Sequence, residues 1–318
     1  MLGLERVDDA TMTALIRTIQ TGRAFAAASL TLGVLLAAGI GGVSPNQGWA
    51  AVDRLAIRKV DFKNFSYADI EEGQPTSVRD GEFSRDDENG LLFVNVADIA
   101  YGDLTGDGVE EAVVTIGFST GGSGFFTDGR VFTLSNGRAV EVASLGVGDR
   151  ADGGIDEVMI RSGQIVVERF GNDQTGACCP SLLERSKWRL VKRGSASALS
   201  SVGRSYVRRF ERLGLNPNGT DGPTKITFLK GTAEAVLEGG GGTSGWFEAR
   251  KGQTATVAVG RSWGGPVTVM VKWSTNKVTL KPGQVWTSVL PRTGRYSVDV
   301  PSTSIKVEPT VRMTLTIR

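Results

Sequence analysis

Apolar and polar residues alternate along much of the chain after residue 51. Such alternation over about four to eight residues is typical of strands with one buried face. Asn136-Gly137 between two of these runs predicts a hairpin turn, and Ser162-Gly163 joins another pair. The strands predicted in this first part are 56–62, 91–96, 111–117, 129–134, 140–144, 155–160, 164–170 and 188–191.

A second series of short apolar runs begins at residue 225 and continues to the C-terminus. Many short strands separated by turn residues indicate a β-sandwich. We therefore expect an antiparallel β domain (α+β) over residues 51–193 and a β-sandwich over residues 225–318. The strands predicted in the second part are 226–229, 233–237, 245–249, 254–259, 267–273, 277–281, 285–290, 294–300 and 311–317.

Between these regions the apolar spacing changes to three and four, which predicts a short connecting helix. Ser197 is a suitable N-cap and Gly214 a suitable end, and a linker rich in Asn, Pro and Gly follows to residue 224. The fold class is then mainly β, with a helix and linker over residues 194–224. Three arginines form a row on one face of this predicted helix. The row is either a solvated face or an edge that contacts phosphate or membrane. One helix face carries Leu199, Val202, Tyr206, Phe210 and Leu213, and another carries Arg204, Arg208 and Arg212.

The N-terminal segment has the pattern of a secretory signal. Arg17 and Arg23 precede an uncharged, mostly apolar run over residues 24–43, and small residues follow it. We expect cleavage after Ala50, because Gly48 then occupies the −3 position. The alternative is an uncleaved membrane anchor, since about 20 apolar residues span a bilayer. Both interpretations place the rest of the chain in the periplasm or outside the cell, with any membrane contact confined to this segment.

The charge of the chain is unevenly distributed. Residues 51–193 carry 24 acidic and 16 basic side chains, a net charge of −8, whereas residues 194–318 carry 17 basic and 7 acidic side chains, a net charge of +10. Either the two halves attract each other, which needs no partner, or the basic half faces a polyanion of the cell envelope. Nucleic acid is not expected as a partner of an exported chain.

The sequence contains no histidine. This removes the commonest general base and metal ligand at neutral pH. Ser-His-Asp and Cys-His catalysis and His-containing zinc sites are therefore excluded, and two cysteines are too few for a Cys-only zinc site. We expect the protein not to be an enzyme, although hydrolysis by paired carboxylates stays open.

One loop between two predicted strands has the spacing of a calcium site. Asp103, Thr105, Asp107 and Glu111 provide side-chain oxygens at positions 1, 3, 5 and 9, and the carbonyl of Val109 falls at position 7. The loop resembles those of FG-GAP and VCBS repeat proteins, with Thr105 in place of an Asp. The resemblance implies Ca²⁺ as the cofactor. The alternative is a turn whose carboxylates accept hydrogen bonds from backbone amides.

Cys178 and Cys179 are adjacent, in a Cys-Cys-Pro-Ser segment. This element resembles LppP/LprE-type mycobacterial lipoproteins, although no cysteine for lipidation lies near the signal. In an oxidising compartment a vicinal disulfide is one interpretation. Free buried thiols and a redox or intermolecular role are the others.

The C-terminal part contains three segments that resemble the bacterial pre-peptidase C-terminal-like domain. These segments begin at Ile226, Trp246 and Leu290. Related β-sandwiches include lysozyme inhibitors of the g- and i-type class, which use a Ser-Gly-x-x-Tyr loop. Ser244-Gly245 matches its first two residues, but Glu248 occupies the position of the Tyr. The resemblance implies a β-sandwich and makes inhibition of lysozyme-type hydrolases an alternative function.

One predicted hairpin of this part combines basic and aromatic residues that could hold an anionic glycan. The alternative is a strand pair with tryptophan in the core and lysine in water. We expect a non-enzymatic envelope or secreted binding protein with a glycan or protein partner; an accessory domain of an envelope hydrolase is a further alternative. The candidate binding residues are Lys272, Trp273, Lys277, Lys281 and Trp286, together with Ser244 and Gly245.

Overall fold

The structure is a computed structural model, and it describes the chain from residue 53 to residue 318 with gaps. The described residues are 53–71, 74–88, 90–122, 124–171, 180–194, 196–214, 222–265, 267–302 and 309–318. Ala51–Arg318 forms one compact unit. The predicted signal lies outside the described residues and stays a prediction. No helix in the described ranges is long and apolar enough to cross a membrane.

The regular secondary structure of the described residues is almost entirely β-strand, which confirms the expected mainly β fold class. Their one helix is a single 3₁₀ turn at Ala56–Lys59, where the sequence predicted a strand. Ile57 is buried there and packs with Phe62 in an apolar cluster. The short apolar run therefore contributes to the core without pairing in a sheet.

The first strands form a hairpin and an antiparallel five-stranded sheet, the meander sheet, in sequence order. The Asn136-Gly137 turn is confirmed, because both residues have positive φ, 50° and 74°, as a tight hairpin turn requires. The hairpin consists of β1 (Ser66–Glu71) and β2 (Gln74–Ser77), and the sheet of β3 (Glu82–Asp87), β4 (Gly90–Gly102), β5 (Glu111–Ser119), β6 (Phe126–Ser135) and β7 (Arg138–Asp149).

A nine-stranded sheet, the long sheet, contains strands from both halves of the chain. Its order is β19-β16-β21-β14-β12-β10-β9-β8, and β11 also pairs with β10. The strands are β8 (Ile155–Arg161), β9 (Gln164–Phe170), β10 (Leu182–Arg193), β11 (Ala196–Ser201), β12 (Tyr206–Arg212), β14 (Glu234–Gly240), β16 (Thr254–Trp263), β19 (Val285–Val289) and β21 (Thr310–Ile317).

The remaining strands form a second five-stranded sheet, the outer sheet, in the order β13-β15-β20-β17-β18. It packs against the β14–β21–β16–β19 part of the long sheet, with a shared apolar core that includes Phe247, Val271 and Leu315. The C-terminal sandwich is therefore present as expected. The strands of the outer sheet are β13 (Thr224–Lys225), β15 (Thr243–Ala249), β17 (Val269–Trp273), β18 (Asn276–Leu280) and β20 (Gly294–Val300).

Two further cores lie on opposite faces of the meander sheet. On one face, Ile116 and Phe132 pack with Tyr67 of the β1–β2 hairpin. On the other, Val113 packs with Val158 and Ile165 of the long sheet. The long sheet thus has apolar cores along one face, under β8–β10 at one end and under β14–β19 at the other.

The predicted connecting helix is wrong, because residues 196–212 form β11 and β12. Gly203 has φ of 72° between the two strands, which interrupts any helix there. Phe210 alternates with charged neighbours and packs against Phe170 of β9 and Val236 of β14. Pairing of β12 between β10 and β14 therefore outweighs the helical spacing of the apolar residues.

The long sheet continues across the division that the sequence suggested between the halves. β12 pairs with β10 in antiparallel and with β14 in parallel orientation, over Arg209–Ala235 to Arg212–Glu238. Backbone hydrogen bonds thus link the two halves into one sheet. The domain boundaries themselves stay a prediction.

Candidate functional site

The Asp103 loop is closed by hydrogen bonds between its carboxylates and its own backbone. The two oxygens of Asp103 accept hydrogen bonds from the amides of Gly106 at 2.6 Å and Gly108 at 2.8 Å. Asp107 accepts one from the amide of Val109 at 2.8 Å. The hydrogen bond from Gly108, with smaller contributions from its neighbours, holds the pKa of the Asp103 carboxyl below its ordinary value.

Glu111 is the buried member of the same loop. Its carboxylate accepts a hydrogen bond from the amide of Leu104 at 2.7 Å, and Thr105 lies 3.5 Å away. Burial raises the pKa of Glu111, and the charges of Asp107 and Asp103 raise it further. No three acidic or cysteine side chains in the described ranges are grouped as metal ligands. These contacts are those of the turn interpretation, and calcium binding stays a prediction.

Cys178 and Cys179 lie outside the described residues. The structure therefore says nothing of a bond between them, and the vicinal disulfide stays a prediction beside its alternatives.

The predicted basic and aromatic hairpin is present as β17 and β18, with Lys272 opposite Lys277. The rings of Trp273 and Trp286 stack with centroids 5.5 Å apart, and both pack against the sandwich core. Alternate residues of a strand point to opposite faces. Lys272 and Lys277 therefore lie on the outer face, away from the tryptophan pair, and Lys281 is exposed just after β18. This is the arrangement of the alternative interpretation, with tryptophan inside and lysine in water.

Ser244 and Gly245 lie within strand β15 rather than in a loop. Gly245 faces the core, where a Cβ atom would come within 2.5 Å of the Leu213 side chain. Ser244 is directly opposite Asp299 and faces outward with it. The structure thus separates the two residues onto different faces of the outer sheet.

A row of side chains crosses all five strands of the outer sheet on its solvent face, and we call it the basic row. Cross-strand partners lie on the same face of a sheet. The register joins Lys225 to Trp246, Trp246 to Ser297, Ser297 to Lys272, and Lys272 to Lys277.

Trp246 is the aromatic centre of the basic row, and the sequence did not single it out for binding. The guanidinium of Arg295 lies 3.8 Å from its ring centroid, and the ammonium of Lys225 lies 5.3 Å away. Lys272 is paired with Asp299 at 2.7 Å. The alternation of β15 could have revealed Trp246, because Gly245 and Phe247 on either side of it point into the core.

The long sheet is concave on the face opposite the two apolar cores that contain Val158 and Leu315, and the small Phe210 cluster lies on this concave face. Arg312 of β21 pairs with Asp156 of β8, five strands away in the sheet order, so the sheet curls strongly. The curl forms a cleft of about 250 Å³, which we call the concave cleft. Its charged and aromatic lining residues are Glu157, Arg161, Glu168, Arg185, Arg208, Arg261, Trp263 and Arg312.

A buried ionic network lies at the base of the concave cleft. Arg208 is only 1% exposed, and it forms ion pairs with Glu168 and, at 3.0 Å, with Glu234. Arg185 donates from Nε to the same Glu168 oxygen at 2.7 Å. Buried charges cost several kcal/mol each unless they are paired in this way. Each buried arginine and glutamate of this network therefore needs its partner of opposite charge.

Ion pairs around the concave cleft also connect the acidic half with the basic half. Arg261 pairs with Asp98, and Arg312 pairs with Asp156 and, at 2.5 Å, with Glu238. Burial lowers the pKa of Arg312 to about 10. These contacts match the interpretation in which the two halves attract each other.

Sequence reasoning missed the concave cleft because its residues come from seven strands. The sequence contains one signal of the cleft, namely charged residues at alternate positions of otherwise apolar strands, such as Glu157 on β8 and Arg208 on β12. Burial raises the pKa of Glu157, against the opposing charge of Arg261. Trp263 is 39% exposed at the cleft. The guanidinium groups of Arg261 and Arg312 lie 5.8 and 5.5 Å from the centroid of its ring.

Comparison with known proteins gives weak structural likenesses. No family model and no curated protein matches the chain. Among solved structures, PliG from Aeromonas hydrophila, a periplasmic inhibitor of g-type lysozyme, is 19% identical, with a TM-score of 0.26, over 34% of this chain and 99% of its own. PliG from Salmonella Typhimurium is 20% identical, with a TM-score of 0.25, over 31% of this chain and 100% of its own. At TM-scores this low the likeness carries no information about activity.

Proposed function

We propose that the protein is an exported, non-enzymatic binding protein whose basic row contacts an anionic glycan of the cell envelope. The proposal rests on the alignment of five side chains across the five strands of the outer sheet, namely Lys225, Trp246, Ser297, Lys272 and Lys277. A sheet face with cations at both ends of such a row presents positive charge across its width to an extended polymer. The absence of histidine from the sequence supports a binding role over catalysis.

The cations of this face are largely available to a partner. Within the described ranges, Lys225, Lys277 and Arg295 have no carboxylate partner, whereas Lys272 is neutralised by Asp299. All three are exposed. An exposed charge is screened by salt over about 10 Å at 0.1 M, so binding through this face is expected to be strongly salt-dependent.

The test is a pull-down of the protein on purified peptidoglycan with a salt titration. We expect binding at about 50 mM salt that is lost by about 200 mM. The variant Lys225→Gln, Lys277→Gln, Arg295→Gln is expected to lose binding at low salt, and it leaves the Lys272–Asp299 pair intact. The matched control is Lys63→Gln, Lys192→Gln, Arg138→Gln, which removes three exposed cations from the acidic half.

Two results would reject the proposal. The first is no binding of the unchanged protein to peptidoglycan at low salt. The second is an equal loss of binding in the two triple variants, since the effect would then follow net charge rather than the basic row.

Calcium binding at the Asp103 loop belongs to the proposal as a stabilising element, and titration calorimetry tests it. The prediction is a saturable heat with Ca²⁺ that Asp107→Ala abolishes. Asp107 is the suitable position because it is exposed and its carboxylate accepts one backbone hydrogen bond, from Val109, whereas Asp103 accepts two. No heat at millimolar calcium would leave the hydrogen-bonded turn as the role of this loop.

Inhibition of lysozyme-type hydrolases stays an alternative prediction, as does a role as an accessory domain of an envelope hydrolase. Gly245 faces the core within β15, so the Ser-Gly pair has no shared exposed surface with which to enter an enzyme cleft. A lysozyme activity assay with the purified protein would test inhibition directly.

A further inference from the structure

The concave cleft lies on the long sheet, away from the basic row of the outer sheet. It is a depression of about 250 Å³ lined by residues of both halves of the chain. Drug-sized ligands occupy pockets of about 300–1,000 Å³, so this cleft suits a molecule about the size of a monosaccharide. The basic row and its proposed polymer partner do not account for it.

The base of the concave cleft has more hydrogen-bond donors than the described residues satisfy. The Nε atoms of Arg208 and Arg312 are buried, and neither has an acceptor among the described residues. Both side chains line the cleft, and Arg208 is only 1% exposed. These Nε atoms are out of reach of a ligand, but the cleft is lined by five arginines and two glutamates, and this positive lining favours an anion.

The rim of the concave cleft adds a free cation and an aromatic surface. Arg161 is exposed, and its guanidinium contacts only the Met159 sulfur, at 3.3 Å, among the described residues. The other arginines of the cleft each have a carboxylate partner. Trp263 offers a ring that is 39% exposed, a surface on which the apolar face of a small ring can lie.

We propose that the concave cleft binds a small ligand that carries one carboxylate or phosphate group on a ring-shaped body. Arg161 pairs with the oxyanion at the rim, and the ring of the ligand lies against Trp263. The buried arginines add positive charge at the base. Glu157 also faces the cleft and repels an anion, so it weakens the affinity of the site.

Titration calorimetry with three probes tests the proposal: glucuronate, glucose 6-phosphate and glucose. The three share a sugar ring, and they differ in carrying a carboxylate, a phosphate or neither. We expect saturable binding of at least one anionic sugar and markedly weaker binding of glucose. The anion that binds more tightly identifies which oxyanion the site accepts.

Variants then assign the binding to the concave cleft. Arg161→Gln and Trp263→Ala change exposed side chains, and each is expected to raise the Kd at least about tenfold. Glu157→Gln is expected to lower it, because a repelling charge is removed. Arg138→Gln, an exposed arginine in β7 outside the cleft, is the matched control and should bind as the unchanged protein does.

The variant Lys225→Gln, Lys277→Gln, Arg295→Gln separates this site from the basic row, and it should retain full binding of the small anion. Absence of saturable binding of both anionic sugars would overturn the proposal, as would equal affinity for glucose. Binding that persists in both Arg161→Gln and Trp263→Ala would place the ligand elsewhere and overturn it as well.

Discussion

Cationic side chains occupy two faces of the protein, and the two faces differ in how those charges are balanced. In the concave cleft, Arg208, Arg261 and Arg312 are paired with carboxylates, several of them from the acidic half. On the outer sheet, Lys225 and Lys277 are exposed and have no carboxylate partner among the described residues. Net charge alone therefore does not locate a binding surface, because paired charge mainly holds the structure together.

The largest effect on stability is expected for the paired charges of the concave cleft. Arg208→Ala is expected to reduce the free energy of unfolding by about 3–5 kcal/mol, because Glu168 stays buried with only part of its neutralising charge. Arg295→Ala on the outer sheet should change it by no more than about 0.5 kcal/mol. Urea denaturation of both variants measures the difference, and equal losses would show that the paired arginine stabilises the fold no more than the exposed one.

An intermediate effect is expected on the inner side of the outer sheet. Trp273 stacks on Trp286 and packs against the core, although it is only partly buried. Trp273→Ala should therefore cost about 1–3 kcal/mol of unfolding free energy, less than the ~3–5 kcal/mol of a fully buried aromatic residue. Its binding to peptidoglycan in the folded state should match that of the unchanged protein. Lost binding with unchanged stability would instead make Trp273 a contact residue.

The smallest expected effect concerns pH and the concave cleft. Burial raises the pKa of Glu157 above its ordinary 4.5, and Glu168 and Asp98 raise it further, whereas Arg261 and Arg185 lower it. A carboxyl with a raised folded-state pKa stabilises the fold fully below 4.5, and that contribution is lost as the pH rises through the folded-state pKa. Glu157→Gln should therefore equal the unchanged protein at low pH and exceed it at neutral pH.

Urea denaturation across this pH range measures the difference between the two proteins. A difference that stays constant with pH would show that Glu157 ionises as freely in the folded as in the unfolded chain. Lys63→Gln, a change at an exposed side chain, is a suitable control for the pH dependence of the method.

The sequence predicts the β class and the hairpins well, because these features are local. Asn136-Gly137 and Ser162-Gly163 adopt the positive φ angles of tight turns, and the predicted hairpin that contains Lys272 and Lys277 is present. The predicted helix was wrong because Leu199, Tyr206 and Phe210 satisfy a helical spacing while the pairing of distant strands decides their conformation. Propensity over a short window does not include that pairing.

The candidate sites could be predicted only in part, for a related reason. The basic row depends on the register of five strands, and only the Lys272–Lys277 pair is close in sequence. In the concave cleft, Glu168 and Arg208 lie 40 residues apart and meet through the curl of the long sheet. Neither register nor curl is encoded in the spacing of residues along one strand.

The parallel pairing of β12 with β14 has a consequence for how the chain is made. Until β14 has been synthesised, β12 presents a row of unpaired amides and carbonyls at the edge of the growing sheet. A fragment that ends between these strands would carry that open edge permanently, and so would the complementary fragment that begins after it. Each piece is therefore expected to self-associate through its exposed edge, whereas co-expression of the two should restore a soluble complex.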